Sequence, residues 1–491
     1  MNTERIDRCL SSVLPGEAVR REPGDLARAR VQNPLVDPGE PPSHVVFPGD
    51  PEALQALVRL ANENALNLTV SSSTGDHRKG GGCAVHPGIR VDLSHWTGVE
   101  WVDRRNRVCL IRPGVTYGAL LDALARYGMT VPMPLAPRSG KSVLAAVMDR
   151  EPSTWPNRQW DSSDPVASTE FLFGSGERFR TGAAGGPGSL EEQRAAGGAQ
   201  KGPLGPSQTD FHRVVQGAQG CMGVVTWITL RTELKPAVEK PFLVGADRLE
   251  RLTGFVYEVQ RPWLGEHAFI LDRTAAAMLV SACNGASLDS LRAVLPRYVC
   301  LQNVAGFALL ARARVKYQEK DIRDAARRHG LALTTALGPL AARDLLAAAT
   351  RPCGEADWRH AWKGHCLSVF FLTTLDRVAG FEEIVYGLAR DAGCDEASVG
   401  VYIQPVVQNH GCHVEFLIPF DPQSQGETER VRALEREAVA RLARAGAFFS
   451  RPYGAAQEVA FQQNPLNLEI LRKVKGIFDP RRVLNRGKWG L

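Results

Sequence analysis

The stretch VYIQPVVQNHGCHVEF, residues 401–416, carries side chains suited to proton transfer. Alternate side chains of an extended chain point to one face, so His413 and Glu415 share a face. Tyr402 and Gln404 share a face on the segment before them. A histidine with a pKa of about 6.5 can take a proton from a substrate hydroxyl near neutral pH. The alternative is structural: His413 and Glu415 would then bridge two strands.

A second group of reactive side chains lies in FFSRPYGAAQEV, just before the last predicted helix. Arg451 can hold a carboxylate through its planar guanidinium, and Tyr453 adds a phenol two residues later. An exposed salt bridge between domains is the alternative for Arg451. The two stretches together predict the catalytic set His413, Tyr402, Arg451, Tyr453 and Glu415.

A glycine-rich loop, SSSTGDHRKGGG at residues 71–82, follows directly on the apolar run LNLTV. Glycine adopts positive φ and lets other groups approach the main chain, so such a loop can direct backbone N–H groups at an anion. The alternative is an ordinary solvent loop. The segments around the loop are needed to decide between these two interpretations.

Length and composition indicate a folded protein of two or three domains. The chain has 491 residues, of which 44% are apolar and 23% charged. Its net charge of +6 arises from 59 basic and 53 acidic residues spread along the sequence, which favours a small anionic ligand and argues against nucleic acid. The ten cysteines form no CxxC pair, so neither a zinc knuckle nor a cysteine-ligated iron–sulfur cluster is predicted.

No signal peptide or membrane span is predicted. The first twenty residues carry charges throughout, and no apolar run approaches the length that crosses a bilayer. We therefore expect a cytoplasmic protein.

The chain divides into four parts by composition. After an N-terminal segment, 1–40, strand and helix signals alternate in short units, and the first helix is predicted to begin at Pro51 with Asp50 as its N-cap. A change of composition after Pro241 opens a second strand and helix mixture, which predicts an antiparallel sheet covered by helices. The predicted parts are 1–40, a first domain at 41–241, a second at 242–455 and a C-terminal return at 456–491.

Four segments together resemble one family, the FAD-linked oxidoreductases that share the flavin fold of vanillyl-alcohol oxidase and p-cresol methylhydroxylase. The glycine-rich loop is similar to the family's PRGGGTSLTGG loop. RPGVTYGALLDALARYG resembles its strand end and short helix, and QGAQGCMGVVTWITL its GSEGTLGIIT turn. LRKVKGIFDPRRVLNRGKW resembles the family's C-terminal LKxxFDPxxILNPGK. Because the four occur in the family's order, they form a specific signal.

The resemblance implies an α+β fold, with a two-part FAD-binding domain and a substrate, or cap, domain whose antiparallel sheet is covered by helices on one face. It implies that the glycine-rich loop holds the FAD pyrophosphate. The cofactor-binding residues that it implies are Ser73, Thr74, Gly75, Asp76, His77, Gly80, Gly81, Gly114, Val115, Thr116, Gly217, Gly220, Gly223, Val225, Asn485 and Lys488.

The sequence also departs from the family pattern. Charged residues stand in the loop where small neutral ones are usual, and TGDH is one residue out of step with the SGGH pattern of branches that tether the flavin to histidine. We therefore expect non-covalent FAD. A hydroxy-acid branch shows a metal-binding HxGDGNxH, but VVQNHGCH keeps only His413 in register, so no metal is predicted, with His410, His413 and Glu415 as the alternative ligands.

The resemblance implies an FAD-dependent dehydrogenase or oxidase of a small hydroxy acid, of the glycolate or D-lactate dehydrogenase kind, with His413 as base. Electrons would pass to an iron–sulfur or other electron-transfer partner, or to oxygen. Two alternatives stay open: oxidation of an aromatic alcohol, and a non-catalytic flavin-fold subunit of a larger redox complex. A homo-oligomer is also an open possibility.

Overall fold

A computed structural model describes residues 3–30, 33–36, 41–75, 79, 84–159, 161, 163–185, 188–196 and 211–491. Within these ranges the fold is built on three sheets, two in the first half of the chain and one in the second.

The first sheet carries the glycine-rich loop at the end of a strand. Its three long strands pair in parallel, and the helix Pro51–Asn64 packs its buried leucines against it. Asp50 caps this helix as predicted, because its carboxylate accepts a hydrogen bond from the N–H of Ala53 at 2.7 Å. The helices here are Thr3–Ser11, Pro23–Ala29 and Pro51–Asn64, and the strand order is Val19–Arg20, His44–Val46, Ile89–Asp92, Leu68–Ser71.

The second sheet is antiparallel and includes a hairpin, Val166–Leu172 with Arg178–Arg180. Its strand order is Val99–Asp103, Val108–Ile111, Val224–Arg231, Val166–Leu172, Arg178–Arg180. A two-stranded ribbon, Met129–Thr130 with Glu233–Leu234, accompanies it. The helices of this part are Tyr117–Ala125, Val143–Met148, Leu190–Ala195 and His212–Val215.

The third sheet forms the cap domain and has seven strands, all antiparallel to their neighbours. Their order is Leu333–Thr334, Val238–Ala246, Tyr298–Gly306, His267–Asp272, Gly400–Val406, Gly411–Phe420, His365–Thr373. One face is covered as predicted, by the helices Leu249–Gln260, Ala311–Arg328, Val378–Asp391 and Gln425–Arg444.

Helices cover only part of the opposite face of the cap sheet. The helices Arg273–Asn284, Leu288–Val294 and Ala342–Ala349 cover part of it, an arrangement that the sequence did not predict. The remaining part, on the strands Gly400–Val406, Gly411–Phe420 and His365–Thr373, faces the first half of the chain and is free to form a site.

The C-terminal segment returns to the first sheet after the helices Ala455–Gln462 and Pro465–Phe478. Leu68 donates its N–H to Val483 O at 2.7 Å, and Asn485 donates to Leu68 O at 2.8 Å. A buried ion pair holds the turn, since Lys475 Nζ lies 2.6 Å from Asp479 Oδ2 and also donates to two carbonyl oxygens. The FDPRRVLN motif therefore fastens the chain end beside the strand that leads into the glycine-rich loop.

Helices long and apolar enough to span a bilayer are absent from the described ranges.

Candidate active site

A cavity of about 250 Å³ lies between the first half of the chain and the uncovered part of the cap sheet. From the first half, the residues at its wall include Ser71, Ser72, Ser73, Lys79, Arg138, Lys141, Asp149, Glu151, Gln219, Gly220, Gly223 and Val225. From the cap domain they include Asp357, Arg359, Phe370, Tyr402, His413, Glu415, Arg451 and Tyr453. All five side chains of the predicted catalytic set therefore meet at one cavity.

Strand register brings the cap residues together. Alternation predicted that His413 shares a face with Glu415 and Tyr402 with Gln404, and the register, which pairs Gln404 with His413 and Tyr402 with Glu415, places all four side chains on one face of the sheet. Tyr402 donates its hydroxyl to Gln404 Oε1 at 2.8 Å. Its ring packs edge-on against the imidazole of His413, with centroids 5.7 Å apart.

Arg451 fixes the protonation of His413. Arg451 Nη2 lies 3.3 Å from His413 Nδ1, and because a guanidinium only donates, Nδ1 must accept and the proton of the neutral ring sits on Nε2. Burial and, to a smaller extent, the charge of Arg451 lower the pKa of His413 to about 4, although Glu415 opposes the shift. His413 is therefore neutral at neutral pH and carries a lone pair at Nδ1.

Glu415 has its own partner. Its carboxylate accepts a hydrogen bond from Arg359 Nη2 at 2.7 Å, whereas His413 Nε2 is 3.8 Å away. Both Arg359 and Glu415 are buried, so each offsets the other's charge. Glu415 thus orders the cap side of the cavity through Arg359.

Asp149, which was not predicted from the sequence, contacts three side chains at the opposite wall of the cavity. Its carboxylate accepts from Tyr453 Oη at 2.5 Å and from Lys79 Nζ at 2.9 Å, and it lies 3.4 Å from Arg451 Nη1. Burial acts to raise the pKa of Asp149, but the charges of Lys79 and Arg451 outweigh it and the pKa lies below its usual value. Asp149 is therefore ionised and holds the two cap side chains Arg451 and Tyr453 in place.

Lys79, which belongs to the glycine-rich loop, contacts a second carboxylate besides Asp149. Its ammonium lies 2.9 Å from Glu151 Oε1 as well, and Lys141 Nζ lies 3.1 Å from the same oxygen. The ammonium also stands 4.8 Å from the centre of the Phe370 ring. A signal for Asp149 and Glu151 exists in hindsight, since the two acids follow directly after the apolar helix Val143–Met148.

Burial raises the pKa of Tyr453 well above its ordinary value, and ionised Asp149 adds to the shift. The pKa of Tyr402 is also raised, again chiefly by burial. Both phenols are therefore protonated at neutral pH. They serve the cavity as hydrogen-bond donors.

The described part of the glycine-rich loop is shaped by its backbone. Ser73 Oγ accepts from Ser142 N at 3.0 Å, and Thr74 N donates to Gly140 O at 3.0 Å. Gly75 has φ +71°, and an added Cβ there would lie 2.9 Å from Arg138 Nη1. A side chain at this position would thus be strained and crowded. The predicted loop residues Asp76, His77, Gly80 and Gly81 fall outside the described residues.

The next three predicted cofactor residues have clear local roles. An added Cβ at Gly114 would collide with the carbonyl of Ser94, Val115 is fully buried, and Thr116 caps the helix Tyr117–Ala125. Their neighbour Pro113 reaches the cavity wall. Their contact with the cofactor stays a prediction.

The turn around Gly217–Gly223 offers an atom without a partner to the cavity. Gln219 Oε1 is buried and accepts no hydrogen bond from the described residues, while its Nε2 donates to Pro452 O at 2.8 Å. Gly217 and Gly220 have φ of +77° and +76°, which suits glycine. Asn485 holds the turn by donating its Nδ2 to Gln219 O at 2.8 Å, and Lys488 is buried nearby in the chain.

These features fit FAD. Arg138, whose guanidinium lies beside Gly75 of the loop, stands at the cavity wall and can offset part of the charge of a diphosphate, whereas Lys79 and Lys141 are engaged by Asp149 and Glu151. The unpartnered Gln219 Oε1 can accept from an N–H of the cofactor. A metal has no comparable donor set, since groups of three His, Cys, Asp or Glu side chains suited to an ion are not found within the ranges that the structure covers.

Comparison with known proteins agrees with this geometry. Residues 42–182 match the family model described as FAD binding domain. The structure of p-cresol methylhydroxylase with substrate bound superposes with a TM-score of 0.85 at 17% identity, over 100% of this chain and 98% of that one. The chain therefore has an FAD binding domain at residues 42–182 and the fold of p-cresol methylhydroxylase. The fold class and the family resemblance predicted from the sequence are confirmed.

Two curated proteins are similar to parts of this chain in sequence. The chain is 25% identical over 195 residues to the mitochondrial D-lactate dehydrogenase (cytochrome) of Arabidopsis thaliana, covering 40% of this chain and 31% of that protein. It is 24% identical over 307 residues to D-2-hydroxyglutarate dehydrogenase of Xanthomonas citri pv. viticola, covering 60% and 58%. The chain thus spans about a third of the length of the first relative and about three fifths of the second.

Proposed function

We propose that this protein is an FAD-dependent oxidoreductase that oxidises a small 2-hydroxy acid. The observation that carries the proposal is the buried contact of Arg451 with neutral His413 at the cavity. One group can bind a carboxylate and the other can take the hydroxyl proton. The names of the two sequence relatives, both dehydrogenases of D-2-hydroxy acids, support this substrate class.

The chain's own residues suggest an order of events. A substrate carboxylate that engages Arg451 draws the guanidinium away from His413 Nδ1 and frees its lone pair. The same negative charge counters the effect of Arg451 on the pKa of His413, which then rises from about 4 toward its ordinary value. His413 thus becomes a stronger base once substrate is bound.

Tyr453 and Phe370 complete the pocket. Tyr453 is held by Asp149 and presents its ring beside that of Phe370, with centroids 6.2 Å apart. We propose that these rings exclude water from the carbinol carbon. Bound FAD would supply the hydride acceptor for that carbon. The loop and its cations are proposed to hold FAD without a covalent bond, and electrons to leave to a separate acceptor.

A second candidate substrate is a phenol or aromatic alcohol. Three aromatic side chains, Phe370, Tyr402 and Tyr453, stand at the cavity, and Arg451 can stabilise a phenolate as well as a carboxylate. The full-length likeness in fold to p-cresol methylhydroxylase supports this candidate.

An anaerobic mixing experiment distinguishes the two candidate substrate classes. FAD-loaded protein is mixed with glycolate, D-lactate and D-2-hydroxyglutarate, and separately with 4-alkylphenols and vanillyl alcohol, while the visible flavin absorption is followed. Bleaching by hydroxy acids only supports the first proposal, and bleaching by phenols only supports the second. Loaded flavin that stays oxidised with both sets contradicts both and indicates a non-catalytic subunit.

A further inference from the structure

Two cysteine thiols meet beside the wall of the cavity. Cys283 is the penultimate residue of the helix Arg273–Asn284, and Cys353 lies in the loop after the helix Ala342–Ala349. Their sulfur atoms are 3.0 Å apart, and both residues are half-buried, so a small reagent can reach them. A disulfide has an S–S distance of about 2.05 Å, so the sulfurs need to approach by only about 1 Å.

The pair is electronically unequal. Cys283 Sγ donates to Cys353 Sγ, and this hydrogen bond lowers the pKa of Cys353 to about 7 although burial opposes the shift. The same contact raises the pKa of Cys283. Cys353 is therefore the more readily ionised thiol and the nucleophile of the pair, and Cys283 is placed to react second.

The loop of Cys353 is hydrogen-bonded to the cofactor side of the cavity. Cys353 N donates to Pro137 O at 2.8 Å, and Ser139 N donates to Gly354 O at 3.0 Å. Pro137 is itself at the cavity wall, and the segment continues to Gly140, whose carbonyl accepts from Thr74 N in the glycine-rich loop. The thiol pair thus lies at the junction of the cap domain with the segment that supports the loop.

We propose that Cys283 and Cys353 form a reversible intrachain disulfide that fixes the loop of Cys353, which hydrogen-bonds to Pro137 and Ser139, to a helix of the cap domain and so slows the release of FAD. The disulfide would tie the end of a cap helix to a loop bonded to residues 136–140. Opening of the cavity at this junction then requires the helix and the loop to move together. The inference rests on the FAD binding domain and holds whichever substrate the enzyme oxidises.

The oxidant is a hydroperoxide. The Cys353 thiolate attacks one peroxide oxygen, the O–O bond breaks, and a protonated oxygen leaves as water or alcohol, which gives Cys353 sulfenic acid. Cys283 then attacks the sulfenic sulfur, the S–S bond forms and water leaves. Overall two thiols lose two protons and two electrons, and the peroxide gains them. A dithiol reductant reverses the change.

The test uses the full chain loaded with FAD. Wild type, Cys283→Ser, Cys353→Ser and the control Cys394→Ser, which removes another half-buried thiol, are each treated with hydrogen peroxide. Non-reducing peptide mapping then locates disulfides, and recovery of flavin fluorescence after dilution gives the rate of FAD release.

We expect a linked Cys283–Cys353 peptide and several-fold slower FAD release in wild type and Cys394→Ser, both reversed by dithiothreitol. Cys283→Ser and Cys353→Ser should show neither effect. No linked peptide in wild type overturns the proposal, and so does a linked peptide with unchanged FAD release. Reversal by dithiothreitol is measured on wild type, so the test stands even if a serine variant fails to fold.

Discussion

Replacing His413 with Asn removes the proposed base and keeps a side chain that can accept from Arg451. General bases contribute about 10²- to 10⁴-fold to rate. At 1.36 kcal/mol for each factor of ten, this corresponds to about 3 to 5 kcal/mol of barrier. We expect flavin reduction by the best hydroxy acid to slow by about 10²-fold or more. FAD binding should be unchanged, since His413 contacts the cap wall of the cavity.

The pH dependence follows from the burial of His413. Its pKa of about 4 means that the free enzyme holds the neutral ring above this pH and loses it by protonation below. For wild type, kcat/KM should therefore be level with respect to this group above about pH 5 and fall as the pH drops toward 4. His413→Asn should lack this acid limb, because asparagine does not titrate.

The assay is anaerobic stopped-flow recording of flavin absorption between pH 4 and 8. His267→Asn is the matched control, because His267 is also a buried histidine whose pKa burial lowers, to about 3, but it bonds to Thr154 and Trp155 away from the cavity. The control should reduce its flavin at close to the wild-type rate. If the flavin of His413→Asn is reduced at a rate within threefold of the wild-type rate, the activation barrier has changed by less than about 0.7 kcal/mol. That result would refute the role of His413 as base.

Three further changes test other parts of the account. Arg451→Met should raise the KM for hydroxy acids by about 30-fold or more, since losing one member of a buried charge pair costs about 2 kcal/mol or more, and Arg451→Lys should recover only part; an unchanged KM in steady-state assays argues against the anchor. Asp149→Asn removes a carboxylate that offsets the charge of Arg451, so calorimetry should show tighter oxalate binding together with a lower melting temperature; an unchanged melting temperature would mean that Asp149 does not hold Arg451 and Tyr453 in place. Lys475→Met leaves Asp479 without its buried counter-charge, and denaturant unfolding should show a loss of about 3 to 5 kcal/mol; a loss under 1 kcal/mol would mean that the ion pair does not hold the C-terminal turn.

Local patterns were sufficient to predict much of this fold. Asp50 and Pro51 mark the start of a helix, and strand alternation places His413 and Glu415 on one face of the cap sheet. Such signals depend on neighbours within a few residues, and the structure confirms them. The helix Arg273–Asn284 was missed because seven consecutive residues of it are buried, so it has no polar face to give a helical period.

The contacts that organise the cavity could not be predicted in this way. Asp149 meets Tyr453 across 304 positions of sequence and Lys79 across 70. A local pattern carries no information about such pairs, because the packing of two domains creates them. The thiol contact of Cys283 with Cys353 arises in the same way, from two cap helices that pack side by side.

The central claim is that the cavity holds FAD against the glycine-rich loop without a covalent bond. It is tested most directly by the flavin content of FAD-supplemented protein after gel filtration and acid precipitation. Wild type should carry about one FAD per chain and release it to the supernatant, Gly75→Val should carry almost none, and Gly128→Val, whose positive-φ glycine has open space around it, should match wild type. Flavin absent from wild type, retained in the precipitate, or bound equally by Gly75→Val would contradict the account.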